Sequence, residues 1–177
     1  EGEKDPRCLL LYLRILRRST VLFSGTLEQQ QQHAHNEGDL QRRLFNAVAC
    51  YFPITFQPPD DDTFGVTTAM LVEALRDMVC SPVLLHLAVP FLIEQLDDDS
   101  LIVTRTHALQ ALVRVAEVHG ITHPTLQKVL PELMTQVYDL AVEPAPDASA
   151  DVPLWAARAL SAAAERHVQA TRKRGGA

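Results

Sequence analysis

Leu85, Ala88, Val89, Leu92, Ile93 and Leu96 follow one another at spacings of three and four residues near the middle of the chain. That is the period of an α-helix, and it puts a continuous apolar band on one face, which has to be buried against another element. The same template fits Leu9, Tyr12, Leu13 and Leu16, then Leu71, Ala74, Leu75, Met78 and Val79, and again Leu126, Val129, Leu130, Leu133, Met134 and Val137. No strand-like alternation reaches comparable length. With 7 Gly and only 6% aromatic residues, the composition also argues against a propeller or sandwich, whose turns and strands need both. The chain reads as all-α, with helices predicted over 8–23, 39–51, 67–80, 82–97, 100–119, 124–142 and 152–169.

Boundary residues agree with this spacing. Ser81 before Pro82, His123 before Pro124 and Asp151 ahead of Pro153 read as helix starts, because proline is tolerated where a first-turn N–H has no helical partner. Gly25, Gly65 and Gly120 mark stops or turns. Three connections stand out: a Gln- and His-rich insert at about 25–38, a Pro-rich loop at 52–66, and a loop at 143–151 holding Pro144 and Pro146. The first has the polar, low-complexity composition of a mobile loop.

The helices repeat. Val89-Pro90 with Leu92, Gln95 and Leu96 matches Leu130-Pro131 with Leu133, Gln136 and Val137, and Pro131 follows Pro90 by 41 residues. In the next helices Val103, Ala108 and Leu109 match Leu154, Ala159 and Leu160, displaced by 51 residues because of the loop at 143–151. A helix pair recurring near 41 falls in the period of HEAT and armadillo arrays, so residues 1–177 are expected to be one helical-repeat segment of a longer α-solenoid. The turn Asp97-Asp98-Asp99-Ser100 suits the junction inside such a pair, with Asp99 or Ser100 expected to cap the following helix. An ordinary αα-hairpin in a bundle has the same local periodicity.

Charge and cysteine content narrow the function. Sixteen Lys and Arg oppose 22 Asp and Glu, a formal charge of −6, which disfavours the broad phosphate attraction of a dedicated nucleic-acid binder. The 3 cysteines, Cys8, Cys50 and Cys80, form neither an even set nor a CxxC pair, so a reducing intracellular compartment is expected. No segment has the unbroken apolar length of a membrane span, and the start has neither the basic nor the apolar region of a signal peptide. The chain opens on Glu1 rather than Met and reads as an internal piece of a longer protein.

One segment differs from its surroundings. Tyr51, Phe52, Pro53, Ile54, Thr55, Phe56, Gln57, Pro58, Pro59 and Asp60 pack three prolines among three aromatics, which excludes a helix and favours extended backbone before each proline. With Gly65, Val66 and Thr67 leading into Leu71, Ala74 and Leu75, it resembles the hallmark of the large HEAT-repeat targeting subunit of the cytosolic iron–sulfur protein assembly machinery. That family was first described as a DNA-repair and transcription regulator from methyl-methanesulfonate sensitivity. Gly2-Glu3-Lys4-Asp5-Pro6-Arg7 followed by Leu9-Leu10-Leu11, and Leu44-Phe45-Asn46 before Cys50-Tyr51, occur in the family's order. The polyglutamine stretch and Asp60-Asp61-Asp62 depart from it, both in loops.

The resemblance implies an N-terminal segment of a scaffold that delivers clusters to apoproteins such as DNA helicases and polymerases, beside a β-propeller subunit and a small adaptor held mainly by C-terminal repeats. It also implies residence in cytoplasm and nucleus, and no cofactor bound by this segment itself. Taken on its residues alone, the loop either caps the core between two helices or presents a recognition edge, and Phe52, Ile54 and Phe56 are expected to cap.

Other chemistry finds little support. His33 and His35 have no partner ligand in their loop, and Asp60, Asp61 and Asp62 lack the alternating ligands of a calcium loop. His119 and His123 would share a face only on an unbroken helix, which Gly120 and Pro124 interrupt. Cys50 and Cys80, beside apolar residues, are expected to be buried packing rather than cluster ligands. Arg14, Arg17 and Arg18 at i, i+3, i+4 form a basic face, expected to stay in solvent and offered as a candidate interface for acidic partners or nucleic acid. No P-loop, GxSxG, HExxH or paired catalytic carboxylates appear, so no enzyme is expected. The alternative to the iron–sulfur scaffold is an adaptor acting directly on transcription or nucleotide-excision-repair factors.

Overall fold

Helical spacing becomes helices, in the expected order. A computed structural model of the chain describes residues 5–26, 40–55, 65–97, 100–120, 123–142, 154–158 and 161. The elements are α1 (Pro6–Leu22), α2 (Leu40–Ala49), α3 (Thr68–Val79), a 3₁₀ turn (Pro82–Leu84), α4 (Leu85–Glu94), α5 (Ile102–His119) and α6 (Pro124–Val142). Residues 154–158 are also helical, and the described residues contain no strand. The chain is therefore all-α, as its periodicity requires. Most of the insert expected at 25–38, the loop at 143–151 and most of the helix expected at 152–169 lie outside the described residues, as do His33, His35, Asp60, Asp61 and Asp62.

Contacts divide the chain into two compact units, Glu1–Ala88 and Val89–Ala177. In the first, α1 packs on α3, and α2 packs on α3 and on the 3₁₀ turn. Leu13, Val48, Leu71, Met78, Leu84 and Leu85 are fully buried there. Each such side chain contributes about 1.5–3 kcal/mol relative to exposure, so this core is what holds α1 in place. Every residue of the stripe Leu85, Ala88, Val89, Leu92, Ile93 and Leu96 is buried.

In the second unit, α5 is buried on more than one side, at Thr104, Arg105, Ala108, Leu109, Ala111, Leu112, Val113, Val115 and Ala116. Buried Arg105 donates from Nε to the Ser100 carbonyl at 3.1 Å, tying the preceding turn to the helix. The cap position of α5 is Leu101, which makes no side-chain cap bond, so the expectation that Ser100 would cap is corrected, the helix beginning later; Asp99 lies outside the described residues. At Pro82 the start is a 3₁₀ turn, and the α-helix follows from Leu85. Gly120 ends α5 with φ 73° and ψ 154°, a conformation that strongly favours glycine.

Positions matched across the expected repeat agree only in part: Val89 and Leu92 are buried, Leu130 and Leu133 half-buried, and Ala159 and Leu160 lie outside the described residues. Pro90 and Pro131 both sit inside helices, where each removes one N–H from the ladder. Leu96 and Val137 are both buried, whereas Val103 and Leu154 are exposed to 47% and 49%. The match is looser on α6, where Met134, expected in the stripe, is exposed.

Candidate functional site

Asp5 starts α1. Its carboxylate accepts from Arg7 N at 2.9 Å and from the Arg7 guanidinium at 2.7 and 3.1 Å, which holds its pKa down to about 2, and Pro6 follows in the first turn. Seven of the eight residues from Leu9 to Leu16 are apolar, so period alone cannot choose the buried face. Packing chooses Leu9, Leu10, Leu13 and Thr20, leaving Tyr12 and Leu16 half-buried and Leu11, Ile15 and Leu22 exposed.

On the flank between these faces, α1 and α3 enclose a groove of about 930 Å³. One wall carries Leu11, Leu13, Arg14, Ile15, Arg17 and Arg18, and the other Ala69, Met70, Glu73, Ala74 and Asp77. The basic face read from the sequence is therefore one wall of this groove. Arg14 and Arg18 are exposed as expected, but Arg17 is half-buried and its Nη1 is buried with no hydrogen-bond partner, which corrects the reading of all three as solvated. The cause is position: Arg17 follows Leu13 by one turn and lies beside the buried face. On the opposite wall Glu73 accepts from Arg76 at 3.0 Å, an i,i+3 pair along α3.

The proline-rich segment meets α1 at Tyr12. Tyr51 N and Phe52 N donate to Val48 O and Ala49 O at 3.1 and 3.0 Å, closing α2, and the Phe52–Pro53 bond is cis. The Tyr51 ring meets Tyr12 of α1 edge-on, with centroids 6.4 Å apart. Burial raises the Tyr12 pKa, with Tyr51 and Cys50 adding to the effect. Ile54 is buried, Phe52 and Pro53 are half-buried, and Thr55 and Gly65 are exposed, with Gly65 at φ 66°. Thr67 Oγ1 accepts from Met70 N at 3.3 Å and caps α3. Phe56, Pro58 and Pro59 lie outside the described residues. The described part of the motif thus ties α2 to α1 and starts the helix that forms the acidic wall.

The N-terminal MMS19 family, described as the Dos2-interacting transcription regulator of RNA-Pol-II, matches residues 1–140. The chain belongs to the MMS19 family. It is 33% identical over 138 residues to the mouse MMS19 nucleotide excision repair protein homolog, covering 77% of this chain and 12% of that protein. It is 30% identical over 169 residues to the Xenopus tropicalis homolog, covering 95% of this chain and 15% of the relative. With the DNA repair/transcription protein of the same family from Saccharomyces cerevisiae it shares 31% identity over 120 residues, 67% of this chain and 11% of the relative. The chain thus spans about an eighth of the mouse protein's length. No solved structure matches it.

Two further features of this MMS19-family segment differ from expectation. His119 and His123 come together despite Gly120 and Pro124, with ring centroids 5.7 Å apart, and His123 N donates to Gly120 O at 3.2 Å just past the end of α5. His123 Nδ1 accepts from Thr125 N at 3.3 Å, an N-terminal cap for α6, and burial, then His119, lowers its pKa. Cys80 is buried as expected. Cys50 is exposed, a correction: it follows the last turn of α2, where its Sγ donates to Ala47 O at 3.6 Å, rather than lying on the buried face of Gln41, Phe45 and Val48. Cys8 is exposed as well. Among the described residues no group of three or more His, Cys, Asp or Glu is arranged to hold a metal ion.

Proposed function

We propose that this chain is a non-catalytic scaffold segment, part of a helical-repeat solenoid, in the cytosolic iron–sulfur cluster targeting complex. It helps deliver clusters, which are cargo, to apoproteins of DNA replication, repair and transcription. The observation that carries the reading is the family match over residues 1–140, reinforced by the motif at 51–67. In this role the segment binds proteins: assembly subunits and clients such as helicases and polymerases. It binds no cofactor of its own, engages no membrane, small-molecule substrate or nucleic acid directly, and works in cytoplasm and nucleus. Arg14, Arg17 and Arg18 are the part of its surface offered to those proteins.

Affinity capture from a cytosolic lysate tests this, with the chain and its Arg14→Ala, Arg17→Ala, Arg18→Ala variant as baits. Recovery of iron–sulfur apoproteins by the chain, reduced in the variant, is the expected result. A second reading draws on the relatives' names, which cite nucleotide excision repair and transcription. Here the segment is an adaptor acting directly on transcription or repair factors. Capture of such factors that contain no cluster would replace the first reading with this one.

A further inference from the structure

We propose that the groove between α1 and α3 docks an amphipathic helix of a partner protein, one whose apolar stripe is flanked by aspartate or glutamate. This rests on the reading of the chain as a partner-binding segment and names the chemistry of the partner.

The groove has the right length. Its lining runs from Leu11 to Arg18 on α1 and from Ala69 to Asp77 on α3, about 10–12 Å at 1.5 Å per residue, or two turns of a docked helix. Its volume of 930 Å³ matches on the order of thirty waters, enough for several side chains rather than one. Leu11, Ile15 and Met70 line it while exposed to 59%, 52% and 37%. Large aliphatic side chains gathered in one concavity mark a surface meant to be covered, and helix-in-groove docking uses anchors at i, i+3 or i+4, and i+7.

Charge selects the occupant. Arg17, Arg14, Arg18 and Leu11 fall within roughly 120° of the circumference of α1, so the basic and apolar groups share one wall. Across from them Glu73 is engaged by Arg76, and Asp77 also has a partner. Three arginines against two carboxylates, one of them paired with Arg76, leave the rim net positive in a chain whose formal charge is −6. Arg17 is half-buried, with Nη1 out of reach of solvent and without an acceptor, so the charge of this guanidinium is only partly solvated and gains from a carboxylate docked beside it. Nucleic acid fits less well, because the lining offers no aromatic platform for bases, whereas its exposed aliphatic side chains call for an apolar stripe. A twofold contact between two copies centred on α1 would set these arginines against one another.

The test uses the 177-residue chain and a fluorescein-labelled helical peptide of about fifteen residues, near the length at which an isolated helix holds in water. The peptide carries leucines at i, i+4 and i+7 with glutamates beside them, and a twin carries lysine in place of each glutamate. By fluorescence anisotropy the glutamate peptide should bind about tenfold or more tightly than its twin, with the difference shrinking at high salt. Arg14→Glu with Arg18→Glu should reverse the preference, while Ile15→Asp should weaken both peptides without changing the thermal melt, since Ile15 lies outside the core. Equal affinities, or no reversal, would overturn the proposal. So would a single-stranded oligonucleotide that displaces the peptide, or a dimer in sedimentation velocity that Ile15→Asp dissociates. Failure here with lysate capture intact removes only this occupant, whereas failure of capture with peptide binding intact removes the scaffold reading.

Discussion

Leu13 and Leu22 are the same residue on the same helix at opposite ends of the exposure scale, 0% and 77%. Replacing Leu13 by alanine removes three carbons from the contact between α1 and α3, worth about 2.4 kcal/mol at ~0.8 kcal/mol per buried carbon. If a void of roughly 40 Å³ persists, the cavity adds about 1 kcal/mol at ~24 cal/mol per Å³. The expected cost is therefore about 3 kcal/mol or slightly more. Leu22→Ala should stay within about 0.5 kcal/mol, and because alanine is the better helix former, propensity cannot account for a loss at Leu13 and the comparison reports burial. Urea unfolding followed by circular dichroism measures both. Thermal melts add information: about 12–24 °C is lost if Glu1–Ala88 melts by itself, and about 6–12 °C if the whole chain melts together. Equal costs for the two variants would refute the assignment of the buried face of α1, and with it the placement of the arginines on the groove.

Gly120→Ala should destabilise by about 1–3 kcal/mol, because φ 73° with ψ 154° is strained for any residue with a Cβ; a chemical melt equal to that of the unaltered chain would contradict it. His123, with its pKa lowered in the folded state, binds fewer protons folded than unfolded just below its ordinary value of 6.5. Its contribution to stability is accordingly complete above about pH 6.5 and lost as pH falls through the lowered folded value, which an NMR titration of the imidazole and melts at several pH values would report. A His123 titration at or above 6.5 would reverse the sign. Finally, Cys8 and Cys50 should react with a thiol reagent in the native state while Cys80 reacts only on unfolding; three equal rates would contradict the exposures.

Much of the helical architecture is legible in the spacing of apolar residues, since a band at a period of 3.6 leaves a helix one way to face a core. The stripe from Leu85 to Leu96 is the clear case, buried at every position. The repeat expected from Pro90 and Pro131 rests on the same spacing, and both prolines lie inside helices. The motif at 51–67 points to the family, and part of its physical role, the burial of Ile54, follows from ordinary packing rules, whereas Thr67, expected inside the helix, proves to be its cap.

Spacing loses its power where nearly every position is apolar, as from Leu9 to Leu16, because several faces of the helix then satisfy the pattern equally. Only the packing of α1 on α3 selects the face, and that choice half-buries Arg17 and leaves Leu11 and Ile15 in the groove. It also sets Glu73 and Asp77 opposite arginines more than fifty positions earlier in the chain, a pairing no local pattern contains. Cys50 and the His119–His123 contact depart from expectation for a related reason: both sit at helix ends, where direction is set by the turn rather than by the helical period. Sequence determined that this protein is a chain of amphipathic helices from the MMS19 family; tertiary packing alone decided which charges share a groove, because long-range contacts join residues that helical periodicity cannot relate.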